Sequence, residues 1–200
     1  RIGRVFVDLF DAKKVAIGHD IRLSGPSIRD ALAKGLTEAG ADVMDIGQCG
    51  TEMIYFTTAH YGLDGGIMIT ASHLPYNRNG MKFFTKNGGL EASDIKQVLS
   101  YASKNPLVQG DEKEAEKFDL ISVYADHLQK KIREGLSAAP EEKPLAGMRI
   151  AVDAGNGSGG FFATKVLAPL GADTTGSRYL EPDGMFPNHI PNPENREAMA

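Results

Sequence analysis

Thr70-Ala71-Ser72-His73-Leu74-Pro75, followed by Asn79-Gly80-Met81-Lys82, gathers a hydroxyl, an imidazole and an ammonium into one short window. The apolar run before it, Gly66-Ile67-Met68-Ile69, reads as a buried strand. Ser72 therefore falls where a strand gives way to a loop, the edge at which α/β sheets bind ligands. These residue types suit a serine that carries or receives a charged group. A hydrolase serine fits less well. A nucleophile elbow needs glycine two residues before and two after the serine, and here those positions hold Thr70 and Leu74. A serine base must also be held by a third group, and no such partner is assignable. A phosphoserine fits better, because a phosphate brings nearly two negative charges and strong acceptor oxygens. Lys82 and the amides of the loop could stabilise it. The plain alternative is a serine that caps a turn in a Pro/Asn/Gly-rich surface loop.

The elements that must position this window alternate strand and helix. Lys14 to Gly18 reads as a strand. Ile28, Ala31, Leu32, Gly35, Leu36 and Ala39 follow at three/four spacing, so one helix face packs on a sheet. Ser24 or Ser27 could cap that helix, and Gly40 ends it. Ala41 to Ile46 reads as a strand, Thr51 to His60 as a helix, Gly65 to Thr70 as a strand, Met81 to Phe84 as a short strand and Asp94 to Ala102 as a helix. Such alternation argues for a parallel sheet with crossover helices. Residues 104–117 read as a polar surface loop. Asp119 to Leu136 reads as a long amphipathic helix with Leu120, Val123, Tyr124, His127, Leu128 and Ile132 on one face, so His127 is a core-edge histidine and not a ligand. Ser137 to Pro144 reads as a linker. A second αβ unit then starts: strand Met148 to Val152, glycine loop, helix Phe161 to Leu170, strand Ala172 to Ser177. The expected domains are 1–140 and 141–200, the second incomplete.

Gly155-Asn156-Gly157-Ser158-Gly159-Gly160 satisfies G-x-G-x-x-G between a strand and a helix, the context of a dinucleotide fingerprint. Glu181 lies where a ribose-binding acid would sit. This is the rival function, a dinucleotide-binding αβ protein using Gly155 to Gly160. Asp153 weighs against it, because its carboxylate would face a pyrophosphate. Glycines serving only a tight strand-to-helix turn explain the motif better.

Composition excludes several classes. The chain has 200 residues, 42% of them hydrophobic, with a net charge of -4, enough for a real core and unsuited to a nucleic-acid partner. No apolar run approaches the roughly 20 residues that span a bilayer, and the first residues lack the apolar core of a secretory signal. One cysteine, Cys49, permits no intrachain disulfide and no Cys-rich zinc site. The expectation is a cytoplasmic protein with a buried, inert thiol at Cys49.

Ser72-His73-Leu74-Pro75 followed by Asn79-Gly80-x-Lys82 resembles the phosphoserine loop of the α-D-phosphohexomutases, the phosphomannomutase/phosphoglucomutase superfamily. The family form is Thr-Ala-Ser-His-Asn-Pro and then Asn-Gly-x-Lys, so Leu74 replaces an asparagine. Gly18-His19-Asp20-Ile21-Arg22-Leu23-Ser24 resembles the Gly-x-Asp-x-Arg-x-Ser segment of the first domain, and Thr51 to Phe56 the helix before the phosphoserine strand. Asp153 to Gly159 and Asp183-Gly184-Met185-Phe186-Pro187-Asn188-His189 resemble the opening of the second domain.

The resemblance implies a three-layer αβα domain with a mostly parallel, mixed sheet, followed by the start of a second similar domain. It implies an isomerase that interconverts hexose 1-phosphate and hexose 6-phosphate, of glucose or mannose, through phosphorylated Ser72 and a bisphosphorylated sugar. Ser72, His73 and Lys82 would be catalytic, Lys82 as charge stabiliser or proton shuttle. Asp20, Arg22, Asn79 and Gly80 would support the loop, and His189 would be a domain-interface residue. Mg2+ would meet the chain through the phosphate on Ser72, its aspartate ligands lying outside these residues. An active-site arginine before residue 1 and the later sugar-binding domains are also expected elsewhere, so the chain reads as an inactive N-terminal fragment. Its partners would be a phosphorylated hexose and, through the truncated second domain, another copy of itself, with no nucleic acid and no membrane.

Overall fold

A computed structural model describes residues 1–104, 110 and 113–197. They divide into two compact units. The first comprises Arg1–Asp20, Ser24–Ala71 and Asn79–Phe118. The second comprises Ile21–Leu23, Ser72–Arg78 and everything described from Asp119 on.

Six strands make the sheet of the first unit: β1 (Lys14–His19), β2 (Asp42–Gln48), β3 (Gly65–Ile69), β4 (Met81–Thr85), β5 (Gly88–Gly89) and β6 (Glu116–Lys117), in the order β5-β4-β3-β1-β2-β6. β1 pairs in parallel with β2 and β3, and β2 with β6. β4 and β5 add antiparallel pairs at the other edge. The central strands are covered on both faces, which is why β3 is buried at every residue. On one face Val15, Ile17, Ile67, Ile69 and Phe83 pack with Phe6, Leu32 and Leu36, supplied by helices α1 (Ile2–Phe10) and α2 (Gly25–Thr37). On the other lies α3 (Thr51–His60). There Gly66 is required by close approach: a Cβ would sit 2.6 Å from Ile54 Cγ2 and 2.7 Å from Thr58 Oγ1. Tyr55 packs against Phe84, the ring centroids 4.1 Å apart and the planes tilted by 53°. The result is the expected αβα layering over a mostly parallel sheet.

Several local expectations change. α2 starts after Ser24, but neither serine caps it through its hydroxyl: Ser24 Oγ accepts from Asn79 Nδ2 instead, at 2.9 Å. Helix α4 (Ala92–Lys104) extends past Asp94 to Ala102 at both ends. Of the polar stretch 104–117, residues 105–109 and 111–112 lie outside the described residues. Its end is not loop, because Glu116–Lys117 forms the charged edge strand β6. Cys49 is buried, 3.6 Å from Met68 Sδ, and burial pushes its thiol pKa well up.

In the second unit, α5 (Leu120–Gly135) starts at Asp119, whose carboxylate accepts from Ser122 N and Oγ. His127 is half-buried on it. The two strands expected beyond the linker are reduced to isolated parallel bridges, Arg149↔Asp173 and Asp153↔Arg178. Side chains compete for the ladder bonds. Asp173 Oδ1 takes the Thr175 amide and hydroxyl, and Ser177 Oγ takes the Val152 amide. The helix expected over Phe161 to Leu170 is a 3₁₀ turn, Ser158–Gly160, followed by a π-helical segment, Phe162–Leu167. There the Ala168 amide reaches Ala163 O, five residues back. Gln129 Nε2 of α5 donates to Lys165 O on this segment, at 2.9 Å. Among the described residues no helix is long and apolar enough to cross a membrane.

Candidate functional site at the end of strand β3

In the first unit, β3 runs out at Thr70, which is buried and held twice. Its amide donates to Gly80 O at 3.0 Å, and its hydroxyl donates to Asp20 Oδ2 at 2.7 Å. The Asp20 amide donates back to Ile69 O at 3.0 Å. The ends of the neighbouring strands β1 and β3 are thereby tied just before the loop leaves. Asn79 and Gly80 shape the return: Asn79 Oδ1 accepts the Gly80 amide at 2.9 Å. Lys82 is exposed on β4, opposite Met68. The partnership of Thr70 with Asp20 spans fifty residues, and no local pattern announces it.

In the second unit, Ser72 is exposed and has φ of 53°, in the left-handed region. For a residue with a Cβ this conformation costs about 1–2 kcal/mol, and such strain persists only where surroundings over-determine it. The clamp is Arg22. Only 1% exposed, it donates from Nη2 to Ser72 O at 3.0 Å and also to Leu74 O. Its guanidinium lies 5.3 Å from the centroid of the Phe186 ring. Leu74, the departure from the family pattern, meets this arginine through its carbonyl, a contact open to any residue, and its side chain is exposed. His73 is exposed beside it. Of the residues singled out from sequence, then, Arg22 meets the backbone of Ser72, Asn79 meets Gly80, and Asp20 meets Thr70. Phe186 carried no local signal for a contact with the loop.

The glycine loop of the second unit is filled by its own chain. The Gly155 amide donates to Asp153 Oδ1 at 2.8 Å, the Asn156 amide to Tyr179 O at 2.9 Å and the Gly157 amide to Ala154 O at 2.7 Å. A pyrophosphate cradle needs such amides uncommitted. Gly155, at φ of 52°, leaves no room for a side chain, since a Cβ would lie 2.8 Å from His189 Cε1. Asn156, buried, donates through Nδ2 to Glu181 O at 2.9 Å and accepts from Asn188 Nδ2 at 2.6 Å. His189 places Nε2 3.0 Å from Asp153 Oδ1 and Nδ1 3.0 Å from Ile190 O. Both ring nitrogens face acceptors, so the imidazolium satisfies both. The Ile190 carbonyl and then Asp153 raise the His189 pKa. For Asp153, partial burial pushes upward but is outweighed by His189 and the Gly155 amide, and its pKa is lowered. These partners give the motif a structural occupation and leave the dinucleotide reading without a cradle.

A mostly parallel αβα sheet in the first unit and, in the second, a strained serine whose loop is clamped by a buried arginine mark an α/β protein. Residues 1–107 match phosphoglucomutase/phosphomannomutase alpha/beta/alpha domain I, and residues 122–200 match alpha/beta/alpha domain II. The chain belongs to the phosphoglucomutase/phosphomannomutase family. It is 39% identical over 202 residues to a phosphomannomutase of Escherichia coli, covering 96% of this chain and 43% of that protein. It is 35% identical over 187 residues to a phosphoglucomutase of Neisseria gonorrhoeae, covering 93% of this chain and 38% of the relative. The crystal structure of a phosphoglucomutase/phosphomannomutase family protein from Burkholderia thailandensis superposes with a TM-score of 0.82 at 30% identity, over 99% of this chain and 43% of that one. The chain thus spans less than half the length of these relatives. Among the described residues no group of three or more His, Cys, Asp and Glu side chains is placed to hold a metal ion, so the residues present do not by themselves make a divalent-cation site.

Proposed function

We propose that this chain is the phosphoserine-bearing part of a longer phosphohexomutase that interconverts hexose 1-phosphate and hexose 6-phosphate, of glucose or mannose. Residues 1–140 would be its first domain and 141–200 the start of its second. The observation that carries the reading is Ser72 itself: an exposed hydroxyl held in a strained turn where β3 ends, its carbonyl clamped by buried Arg22. A turn this costly, at the ligand-binding edge of the sheet, is what a fixed phosphoryl carrier needs.

In this reading phosphorylated Ser72 donates its phosphoryl group to the free hydroxyl of the sugar phosphate. The Ser72 Oγ–P bond breaks, the sugar O–P bond forms, the sugar hydroxyl gives up its proton, and Ser72 Oγ regains one. The bisphosphorylated sugar reorients. Its other phosphate returns to Ser72, and the protons move in reverse. Lys82 stabilises the transferred charge or shuttles the proton, and His73 assists by hydrogen bonding. Asp20, Asn79 and Gly80 shape the loop from its two ends. Mg2+ would be held by carboxylates from outside the described residues and would supply counter-charge to the phosphate. The enzyme would work in the cytoplasm on a phosphorylated hexose, with neither nucleic acid nor membrane as partner. The 200 residues alone would not turn over.

Incubation of the full-length protein with a hexose 1,6-bisphosphate should add one phosphate mass, located at Ser72 by peptide mapping. Ser72→Ala should abolish conversion of hexose 1-phosphate to 6-phosphate. Near-normal conversion by that variant would sink the assignment.

A further inference from the structure

The phosphoserine loop is clamped by an arginine, and the second unit shows what holds the arginine. The turn from Asp183 to Phe186 is closed by the Phe186 amide on Asp183 O at 3.0 Å and by the Met185 amide on Asp183 Oδ1 at 2.9 Å. It is fastened to the glycine loop, because the Asp183 amide donates to Asn156 O at 2.8 Å. Asn156 is itself fixed by Glu181 and Asn188. Phe186 leaves this turn with φ of 50°, a conformation unusual for a bulky residue. The strained backbone delivers its ring to the Arg22 guanidinium. Gly184 lets the turn come close: a Cβ there would lie 2.5 Å from Ile21 O and 3.1 Å from Leu23 N. Residues on either side of Arg22 are thus pressed against the same turn. All these residues belong to one compact unit.

We propose that Phe186 is a positioning residue for Ser72, acting through Arg22: its ring face holds the guanidinium where one nitrogen spans the Ser72 and Leu74 carbonyls and keeps Ser72 in its left-handed turn. The proposal rests on Ser72 being the phosphoryl carrier. A flat cation held against an aromatic face keeps its nitrogens directed outward at the rim. Two carbonyls converging on one nitrogen fix the Ser72–His73 and Leu74–Pro75 peptide planes, and with them the backbone from which the serine hydroxyl projects. An aliphatic side chain of similar size would fill the space without attracting the cation. The glycine loop, which mimics a nucleotide fingerprint, becomes the anchor of the turn that carries Phe186.

The test compares Phe186→Leu and Phe186→Tyr in the full-length enzyme. The leucine variant should lower kcat about tenfold, the loss expected from one cation–ring contact, with KM for hexose 1-phosphate nearly unchanged. The tyrosine variant, which keeps the ring, should retain nearly full kcat. Equal behaviour of the two variants overturns the proposal. The Cα and Cβ shifts of Ser72 read the turn directly, and they should leave the left-handed range in Phe186→Leu alone. In the unmutated protein the Arg22 side-chain protons should be shifted upfield by the ring, and their absence from that range overturns the proposal even if the leucine variant does not fold. Ser72→Ala separates the two failures. If it turns over normally, the carrier assignment falls. If it is dead while Phe186→Leu is fully active, only the positioning role falls.

Discussion

At the scale of single residues, two features decide how this chain would respond to change: a lysine with no part in the core, and a histidine whose ring faces two acceptors. Lys82 is exposed on β4. Lys82→Met should therefore leave thermal stability close to that of the parent. In the full-length enzyme it should slow phosphoryl transfer on the order of a hundredfold or more, the contribution of one electrostatic stabiliser. Rapid-quench measurement of transfer from phosphorylated Ser72 reads this, and an unaltered rate would remove Lys82 from the chemistry. His189 and Asp153 form a pair whose pH response has a definite sign. The His189 pKa is raised by folding, so its contribution is present below the ordinary histidine value and lost as pH rises through the raised one. The Asp153 pKa is lowered, so its contribution is present above the ordinary carboxylate value and lost as pH falls through the lowered one. The pair should favour the second unit most between about pH 4 and 6.5. Denaturant melts of the parent and of His189→Gln should differ most in that window and converge on either side of it. Two curves that stay parallel across pH would show that the pair does not couple to folding.

Among the elements, the contrast lies between β3 and the segment from Met148 to Asp153. Ile67 and Ile69 are fully buried and paired on both sides, in parallel with β1 and antiparallel with β4. Ile150 and Val152 are half-buried, and their ladder is broken into two bridges by the side chains of Asp173 and Ser177. Local opening is easiest where few apolar contacts cover the backbone. In a dilute monomer, the amides of Ile150 and Val152 should exchange at least tenfold faster than those of Ile67 and Ile69, a gap of about 1.4 kcal/mol in opening free energy. Equal protection would mean that the second unit is as cooperative as the sheet. The same contrast explains what could be read from sequence. α3 runs from Thr51 to His60 as the pattern predicts, and β1, β2 and β3 lie within two residues of expectation. Their apolar runs are bounded by glycines and their burial is two-sided, so pattern and environment agree. From Met148 to Ser177 the apolar alternation is equally clear. There, polar side chains take the backbone groups that a ladder would use, Asp173 from two positions away and Ser177 from twenty-five, and periodicity does not see that competition.

For the molecule as a whole, the second unit leaves Leu136, Met148, Met185 and Ile190 each about half exposed or more. Large exposed apolar side chains favour association. The 200-residue chain should therefore show a mass in light scattering that rises with concentration, and the double substitution Met148→Lys, Ile190→Lys should suppress that rise. A mass that stays monomeric over a wide concentration range would remove self-association from the properties of this chain.

What the amino-acid sequence determined by itself is local: the alternation of buried strands and helices, and the occurrence of Ser72, His73 and Lys82 within one short window after a buried strand. Those depend on neighbours a few residues apart, and periodicity and residue type report such neighbours. Tertiary structure alone decided that Arg22 would clamp a loop fifty residues away, that Phe186 would face its guanidinium, and that the amides of Gly155, Asn156 and Gly157 would be spent within their own chain. Each of those outcomes depends on which distant groups the fold brings within hydrogen-bonding distance. A G-x-G-x-x-G string is the same string whether a phosphate or a carbonyl of the same chain meets its amides.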